Sequence, residues 1–412
     1  MKAIIRGAAI AAAILSAPAF ADAPKPPPSL AEALVASRHV LTMSPAGFGG
    51  DGAPILRKAV EDARYVAIGE DHITREIPAF AQALCDVMAP QGLSALALEI
   101  GPVVTEAIRP MLTAPDRIAR MAAFNAQYPH ALAFLDTSDD NAMAAHCLKT
   151  APGLRIIGAD QEFIGSAGLL LDRILATKLS ADAAAKVRAL REQDRQIVTA
   201  ARESGDPSGL LMLSITPAQV TEVQAVLDKG GNPQARALFA QLRESHEIYD
   251  LNSRGDPESN ATRARLLKRN LAQGLPAAGR VLLKFGDWHL YKGFNPLGQR
   301  DLGNYVAERA DLEGSRSLHI LVLGAKGVHA LFGGFAKPLR LEPFVMSDDS
   351  DYRWLKLATD RQAAQGWSLF DLRALRHRRI EGIDIDWRRA IDGYDLLLII
   401  PELTPGTLIA AP

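Results

Sequence analysis

Tyr65-Val66-Ala67-Ile68-Gly69-Glu70-Asp71-His72 is the stretch whose reading decides the fold. Its four leading residues have the length and β-branched content of a short buried strand, and Gly69 permits a tight turn where ionisable residues begin. Apolarity that is continuous rather than alternating implies a strand covered on both faces, as in a parallel sheet between helical layers. Similar runs occur at Ala95-Leu96-Ala97-Leu98, Arg155-Ile156-Ile157, Val281-Leu282-Leu283, His319 to Leu323 and Leu396 to Ile400, with helix-like segments between them. The expected fold class is therefore α/β, a mostly parallel central sheet flanked by helices.

From about 166 to 279 the composition shifts to Ala, Leu, Arg, Glu and Gln at helical spacing, with no convincing strand. This reads as a largely helical insertion, with helices over Ala181 to Glu203, Pro217 to Lys229, Pro233 to Tyr249 and Glu258 to Gln273, and with Ser180 and Thr216 as N-caps. No fixed-period repeat is visible, which disfavours a solenoid. Residues 332–387 carry no readable motif, and their acidic cluster Asp348, Asp349 and Asp351 reads as a solvated loop.

At the N-terminus, Lys2 and Arg6 precede an apolar stretch from Gly7 to Leu15 and then Ala19-Phe20-Ala21, the pattern of a secretory signal peptide cleaved near Ala21. Its apolar part is too short to span a bilayer, and no later stretch approaches the roughly 20 apolar residues of a membrane helix. No integral membrane segment is expected in the mature chain, and the periplasm or the medium is the expected location. A Pro-rich leader over 22–29 would then precede one α/β domain over 30–412 that holds the insertion. Losing Lys2 and Arg6 takes the formal charge from −1 to −3. No basic excess remains to neutralise phosphates, so nucleic-acid binding is disfavoured and a small molecule is the expected partner. The 48% hydrophobic share suffices for a large core. Cys85 and Cys147 could pair in an oxidising compartment, but each lies in an apolar, helix-like context typical of buried free thiols, and the reading leans to free thiols.

Most of the expected strands are closely followed by groups that ionise, bind metals or move protons: Glu70 and His72, Glu99, Asp160 with Glu162, Asp287 with His289, and Glu402. Ligands of open parallel sheets bind outside the carboxyl ends of the strands, so these residues are expected to meet in one crevice. Any single one of them would read as a solvated acid; the recurrence argues for a site. If a helix begins at once, His72 and Glu76 share a face, and Glu76 could orient the imidazole or join it on a metal; alternatively it complements the helix dipole. In extended backbone Asp287 and His289 point the same way, with Trp288 packed on the other side. There is no Gly-x-Ser-x-Gly elbow, Gly-rich phosphate loop or dinucleotide fingerprint, and the two cysteines fall outside the strand-end set. What remains is a histidine with carboxylates acting on water, directly or through a divalent metal.

Gly69-Glu70-Asp71-His72 with Arg75-Glu76, then Ala97-Leu98-Glu99, Gly158-Ala159-Asp160-Gln161 and Phe285-Gly286-Asp287-Trp288-His289 resemble, in order and spacing, the motifs of the superfamily of erythromycin esterases, haem-binding ChaN-like proteins and TIKI/TraB-like proteins. The resemblance covers most of residues 60–310, and Asn260-x-x-Arg263 with Lys268-Arg269-Asn270 is similar to the helix before the last motif in esterase-like members. It implies that His72 is the general base that activates water, with Glu70, Glu99 and His289 around it; Asp287 joins them as a catalytic candidate from the strand-end reading, with Glu76, Asp160 and Arg263 as supporting residues. Asp71 stands where esterase-like members commonly carry Ser or Thr, and the insertion that shapes their pocket is poorly matched, so macrolide hydrolysis does not carry over. The expected activity is hydrolysis of an ester or related acyl bond in a small molecule. The alternative is a periplasmic protein that binds haem or a metal without turnover. If a divalent metal is held, His72, Glu76, Asp287 and His289 are the residues to hold it.

Overall fold

The computed structural model of the protein describes residues 26–410, so the signal peptide read in residues 1–21 lies outside the described residues, as does most of the leader. Eleven strands occur among the described residues: β1 (Arg38–Ser44), β2 (Gly47–Gly49), β3 (Tyr65–Glu70), β4 (Leu93–Leu98), β5 (Arg155–Gly158), β6 (Arg280–Gly286), β7 (Ser317–Gly324), β8 (Lys326–Leu331), β9 (Arg340–Val345), β10 (Trp367–Asp371) and β11 (Leu396–Ile400). Nine of them form one sheet in the order β2-β1-β10-β11-β7-β3-β6-β4-β5, while β8 and β9 make a separate antiparallel hairpin. From β11 to β5 every neighbouring pair is parallel. β10, β1 and β2 extend the sheet as antiparallel strands. The six runs expected as strands are the six parallel ones.

Alternation along the strands feeds two cores. Val66, Ile68 and Leu282 face one, while Tyr65, Ala67, Val281 and Leu283 face the other. β3 and β6 are in register from Tyr65 opposite Val281 to Glu70 opposite Gly286. The period of two therefore puts Glu70 and Lys284 on the same face as Val66, Ile68 and Leu282, two strands into a parallel sheet where no water is available.

Between β5 and β6 the chain is helical, with helices Ala167–Leu175, Ala181–Ser204, Leu211–Ser214, Pro217–Gly230, Pro233–Ser253 and Glu258–Gly274. Ser180 accepts a hydrogen bond from the Ala183 amide, and Thr216 forms a reciprocal capping box with Gln219. Residues 332–387, which carried no motif, contain β9, β10 and short helical turns. Asp348, Asp349 and Asp351 are exposed, as a solvated acidic loop should be.

The cysteines depart from expectation. Cys85, on the helix Glu76–Met88, is bonded to Cys147, on the helix Ser138–Thr150, with 5.5 Å between their Cα atoms, and no free cysteine remains. Each apolar context was correctly read as buried, but the two contexts are one: the helices pack together and both cysteines are fully buried at their contact. Closing a loop across a sequence separation of 62 removes about 4 kcal/mol of chain entropy from the unfolded state in the usual estimate. A C85S/C147S double variant is accordingly expected to unfold at lower urea than the parent by an amount corresponding to roughly 2–4 kcal/mol. Coincident unfolding curves for the two would show that the bridge contributes nothing.

Candidate active site

The carboxyl ends of β3, β4, β5 and β6 open into a cavity of about 660 Å³. Glu70 ends β3, Glu99 follows β4, Asp160 follows β5, and Gly286 ends β6, after which Asp287–Leu290 turns at once into a 3-10 helix. Glu70, His72, Glu99, Asp160, Asp287 and His289 all line this cavity, as the strand-end argument requires. Its apolar wall includes Phe134, Phe163, Ile248 and Leu331, so the loops, the helical insertion and the β8–β9 hairpin all contribute to it.

Glu99 is the centre of the arrangement and almost fully buried. Its Oε1 accepts from Arg263 Nη2 at 2.7 Å and its Oε2 from the Gly286 amide at 2.6 Å. The Nε2 atoms of both histidines face it, His72 at 3.4 Å and His289 at 3.5 Å. Each imidazole has a second carboxylate on its other nitrogen: His72 Nδ1 meets Glu70 at 2.9 Å and His289 Nδ1 meets Asp301 at 2.7 Å. Behind Glu70 lies Lys284, whose ammonium reaches Glu70 at 2.5 Å and Asp140 at 2.7 Å. Arg263 also grips Asp160 through two nitrogens, at 2.9 and 2.6 Å.

These contacts set the charges. Burial opposes protonation of His72, but the Glu99 charge and the hydrogen bonds to Glu70 and Glu99 outweigh it and push the imidazole up to about 10. For His289, burial and Arg263 disfavour the cation, yet Glu99 and Asp301 raise its pKa nonetheless. Glu99 is held well below the usual carboxylate range, burial being overcome by His289, His72 and Arg263. Glu70 is likewise lowered, as Lys284 and His72 outweigh its burial. Near neutrality Glu99 and Glu70 are therefore ionised and His72 between them is a cation.

Asp287 differs from the other acids. Tyr352 donates to its Oδ1 at 3.0 Å, and its buried Oδ2 has no hydrogen-bond partner. The 3-10 turn replaces the extended backbone expected over Asp287 and His289, so the two side chains diverge, Asp287 toward Tyr352 and His289 toward Asp301. Trp288 is not simply packed away; it contributes to the cavity wall.

Glu76 stands apart. The helix begins at Glu76 itself, so His72 is on the preceding loop and the shared face does not exist. The β-branched Ile73 takes φ 59°, a strained left-handed conformation that redirects the chain before the helix can start. Glu76 instead accepts from the Thr404 amide at 3.0 Å and from its hydroxyl at 2.6 Å, at the first turn of the helix. The chain around 404–406 is also tied to the His72 loop by Gly406 N to the Ile73 carbonyl at 2.8 Å and Arg75 N to the Thr404 carbonyl at 3.1 Å. Glu402 is exposed beside Lys326 and does not line the cavity. Glu162 is buried beneath the site, where it accepts from the Val103 amide at the start of the helix Pro102–Leu112.

Lys284, Asp140, Asp301, Tyr352 and His329 were not found by sequence reasoning. Lys284 alone carried a signal, a lysine within the apolar run Val281-Leu282-Leu283-Lys284-Phe285. His329, on β8, pairs with Asp71 at 2.9 Å and stacks on Phe344. The expected metal ligands do not gather: Glu76 is engaged elsewhere, and both nitrogens of His72 and His289 face carboxylates. No group of three or more His, Cys, Asp or Glu side chains arranged to hold an ion occurs among the described residues. The residues do not fit a metal centre.

No protein-family model matches the chain. No curated protein matches it either. Its fold does match solved structures. An erythromycin esterase mutant in its open conformation superposes with a TM-score of 0.62 at 15% identity, covering 90% of this chain and 99% of that one. A succinoglycan biosynthesis protein superposes at 0.57 and 16% identity, covering 92% and 97%. The chain therefore shares its fold with this erythromycin esterase mutant and with the succinoglycan biosynthesis protein. ChaN of Campylobacter jejuni, a structure with cofacial haem, aligns at a TM-score of only 0.32 and 10% identity over 74% of this chain and 97% of that one, too distant to argue from.

Gly286 is required by the close approach of His72: a Cβ there would lie 2.9 Å from His72 Nε2 and 3.4 Å from Glu99 Oε2. In Gly286→Ala the imidazole must move off Glu99. Its pKa, followed by NMR titration, is then expected to fall from about 10 toward the ordinary histidine value. An unchanged titration would show that Glu99 does not set it.

Proposed function

We propose that this protein is an exported hydrolase that cleaves an ester or related acyl bond in a small molecule, using its histidine and carboxylate side chains and water. One observation carries the reading: two imidazoles, each backed by its own carboxylate, converge with Arg263 on Glu99 at the floor of a cavity with an apolar wall. Hydrolysis at an acyl carbon develops negative charge on the carbonyl oxygen, and prearranged cationic N–H donors in a largely dry site stabilise it far more than water would. The apolar wall of Phe134, Phe163, Ile248 and Leu331 suits the body of a small organic substrate. The fold match to an erythromycin esterase is consistent with this reading. Export is supported by the signal-peptide pattern of residues 1–21 and by the Cys85–Cys147 bridge, since disulfides persist chiefly in oxidising compartments.

The test is turnover on a panel of esters and lactones, with circular dichroism to confirm folding. His72→Ala is expected to lose about 10²- to 10⁴-fold in rate, because it removes both a proton-transfer group and a charge facing the reacting atoms. Glu162→Ala, which removes a helix cap outside the cavity, is expected to cost roughly 1 kcal/mol of stability and little turnover. A protein purified with a Soret band and inert on every ester would replace this reading with ligand binding without turnover.

A further inference from the structure

The placement of each imidazole between two carboxylates favours its doubly protonated form over a ring with a free lone pair. His72 presents Nδ1 to Glu70 and Nε2 to Glu99, and His289 presents Nδ1 to Asp301 and Nε2 to Glu99. Two carboxylates around one ring are matched only when both ring nitrogens carry hydrogen, because a neutral imidazole would aim one lone pair at an anionic oxygen. The other acids around the cavity are also occupied. Glu70 faces Lys284 and His72, Glu99 and Asp160 face Arg263, and Asp71 faces His329. Asp349 lies exposed on the rim.

Asp287 is the exception. It is buried, lines the cavity, pairs with no cation and keeps one carboxylate oxygen without a partner. The Tyr352 hydroxyl orients it through the other oxygen, and Tyr394 donates to its backbone carbonyl. An unpartnered buried carboxylate oxygen is costly unless something else uses it.

Building on the hydrolase reading above, we propose that Asp287 is the base that takes a proton from the attacking water, and that His72 enters the reaction as an imidazolium that donates one. Water attacks the acyl carbon and its proton passes to Asp287 Oδ2, while the oxygen that becomes negative faces the N–H groups of the cationic cluster. As the bond from the acyl carbon to the leaving oxygen breaks, that oxygen takes the proton from His72 Nε2, the nitrogen on the longer contact. Return of the proton from Asp287 to His72 through cavity water restores the site. One water is consumed, and no net proton is gained or lost by the protein.

The groups around Asp287 support this division. Burial pushes its carboxyl up to about 7, the Tyr352 hydrogen bond works against that, Asp71 adds to it, and the Trp288 amide and His72 charge oppose it. Tyr291 and Tyr394 are the remaining titratable neighbours, and burial raises both well above the ordinary tyrosine range. A base near 7 and an acid near 10 are both in their working forms between those values, as efficient proton transfer near neutrality requires. Hydrolysis should therefore rise as pH passes about 7, while Asp287 ionises, and fall as pH passes about 10, while His72 is lost as a cation.

The experiment measures kcat/KM against pH on 4-nitrophenyl acetate and on a panel of alkyl esters and lactones. Asp287→Ala and the isosteric Asp287→Asn, both checked for folding, are expected to lose about 10²- to 10⁴-fold and the limb near 7, with partial rescue of Asp287→Ala by added formate. Tyr352→Phe removes a bond that both orients the acid and favours its ionised form, so it should lower the plateau and move the same limb to higher pH. His72→Gln should remove the limb near 10. In ¹⁵N-histidine spectra at pH 7, His72 should show both nitrogens protonated. A folded Asp287→Ala with the parent's rate, a limb near 7 that disappears with His72 instead, or a neutral His72 at pH 7 would each overturn the assignment while leaving the hydrolase reading in place. A parent protein inert on every probe would overturn the hydrolase reading itself.

Discussion

Glu99 can be buried as an anion only because four donors surround it. Moving an unpaired carboxylate out of water costs several kcal/mol even after relaxation. Here Arg263, the Gly286 amide, His72 and His289 all face it. Those donors need carboxylates of their own, supplied by Asp160, Glu70 and Asp301, and Glu70 in turn needs Lys284, which Asp140 balances from the other side. The charges thus form one alternating chain running from Asp140 to Asp301. Removing a member takes a counter-charge from each of its neighbours, so the members are energetically coupled along the chain.

This chain explains how a sheet of apolar strands comes to carry its chemistry. Parallel strands with helices on both faces exclude water along their length, and polar groups find room only where the strands end. Lys284 breaks that rule, sitting opposite Ile68 within the parallel sheet. Its long aliphatic stem lets the ammonium reach Glu70 at the strand end and Asp140 on a neighbouring helix.

The parts of this structure that were legible in the sequence are those that depend on local pattern. Continuous apolar runs marked all six parallel strands, and helical spacing with Ser180 and Thr216 marked the insertion, because burial on both faces and capping leave their signature within a few residues. β1, β2 and β10 escaped notice, being antiparallel strands at the edge of the sheet beyond the parallel core, β1 with only one buried residue, and the β8–β9 hairpin is largely exposed. At the site, Glu70, His72, Glu99, Asp160, Asp287 and His289 were visible because each follows a strand. Asp301 and Tyr352 were not, since they approach from segments with no periodicity to reveal them. Glu76 was placed on a common face with His72 because the turn at Ile73, which delays the helix, has a residue that seldom adopts that conformation. The cysteines were misjudged for a related reason: a disulfide is a property of two helix faces that meet, and one strand of text shows each face alone.

The segment from Leu403 to Ile409 crosses both loops that frame the cavity. It bonds to Ile73 and Arg75 on the His72 loop, and through Thr407 and Ile409 to Ser138 and Asp136. It thereby acts as a clasp that fastens the loop bearing the imidazole to the loop before the helix Ser138–Thr150, and hence to Asp140 behind Lys284. A substitution that loosens this clasp would shift the reacting groups, although the clasp is remote from them in the chain.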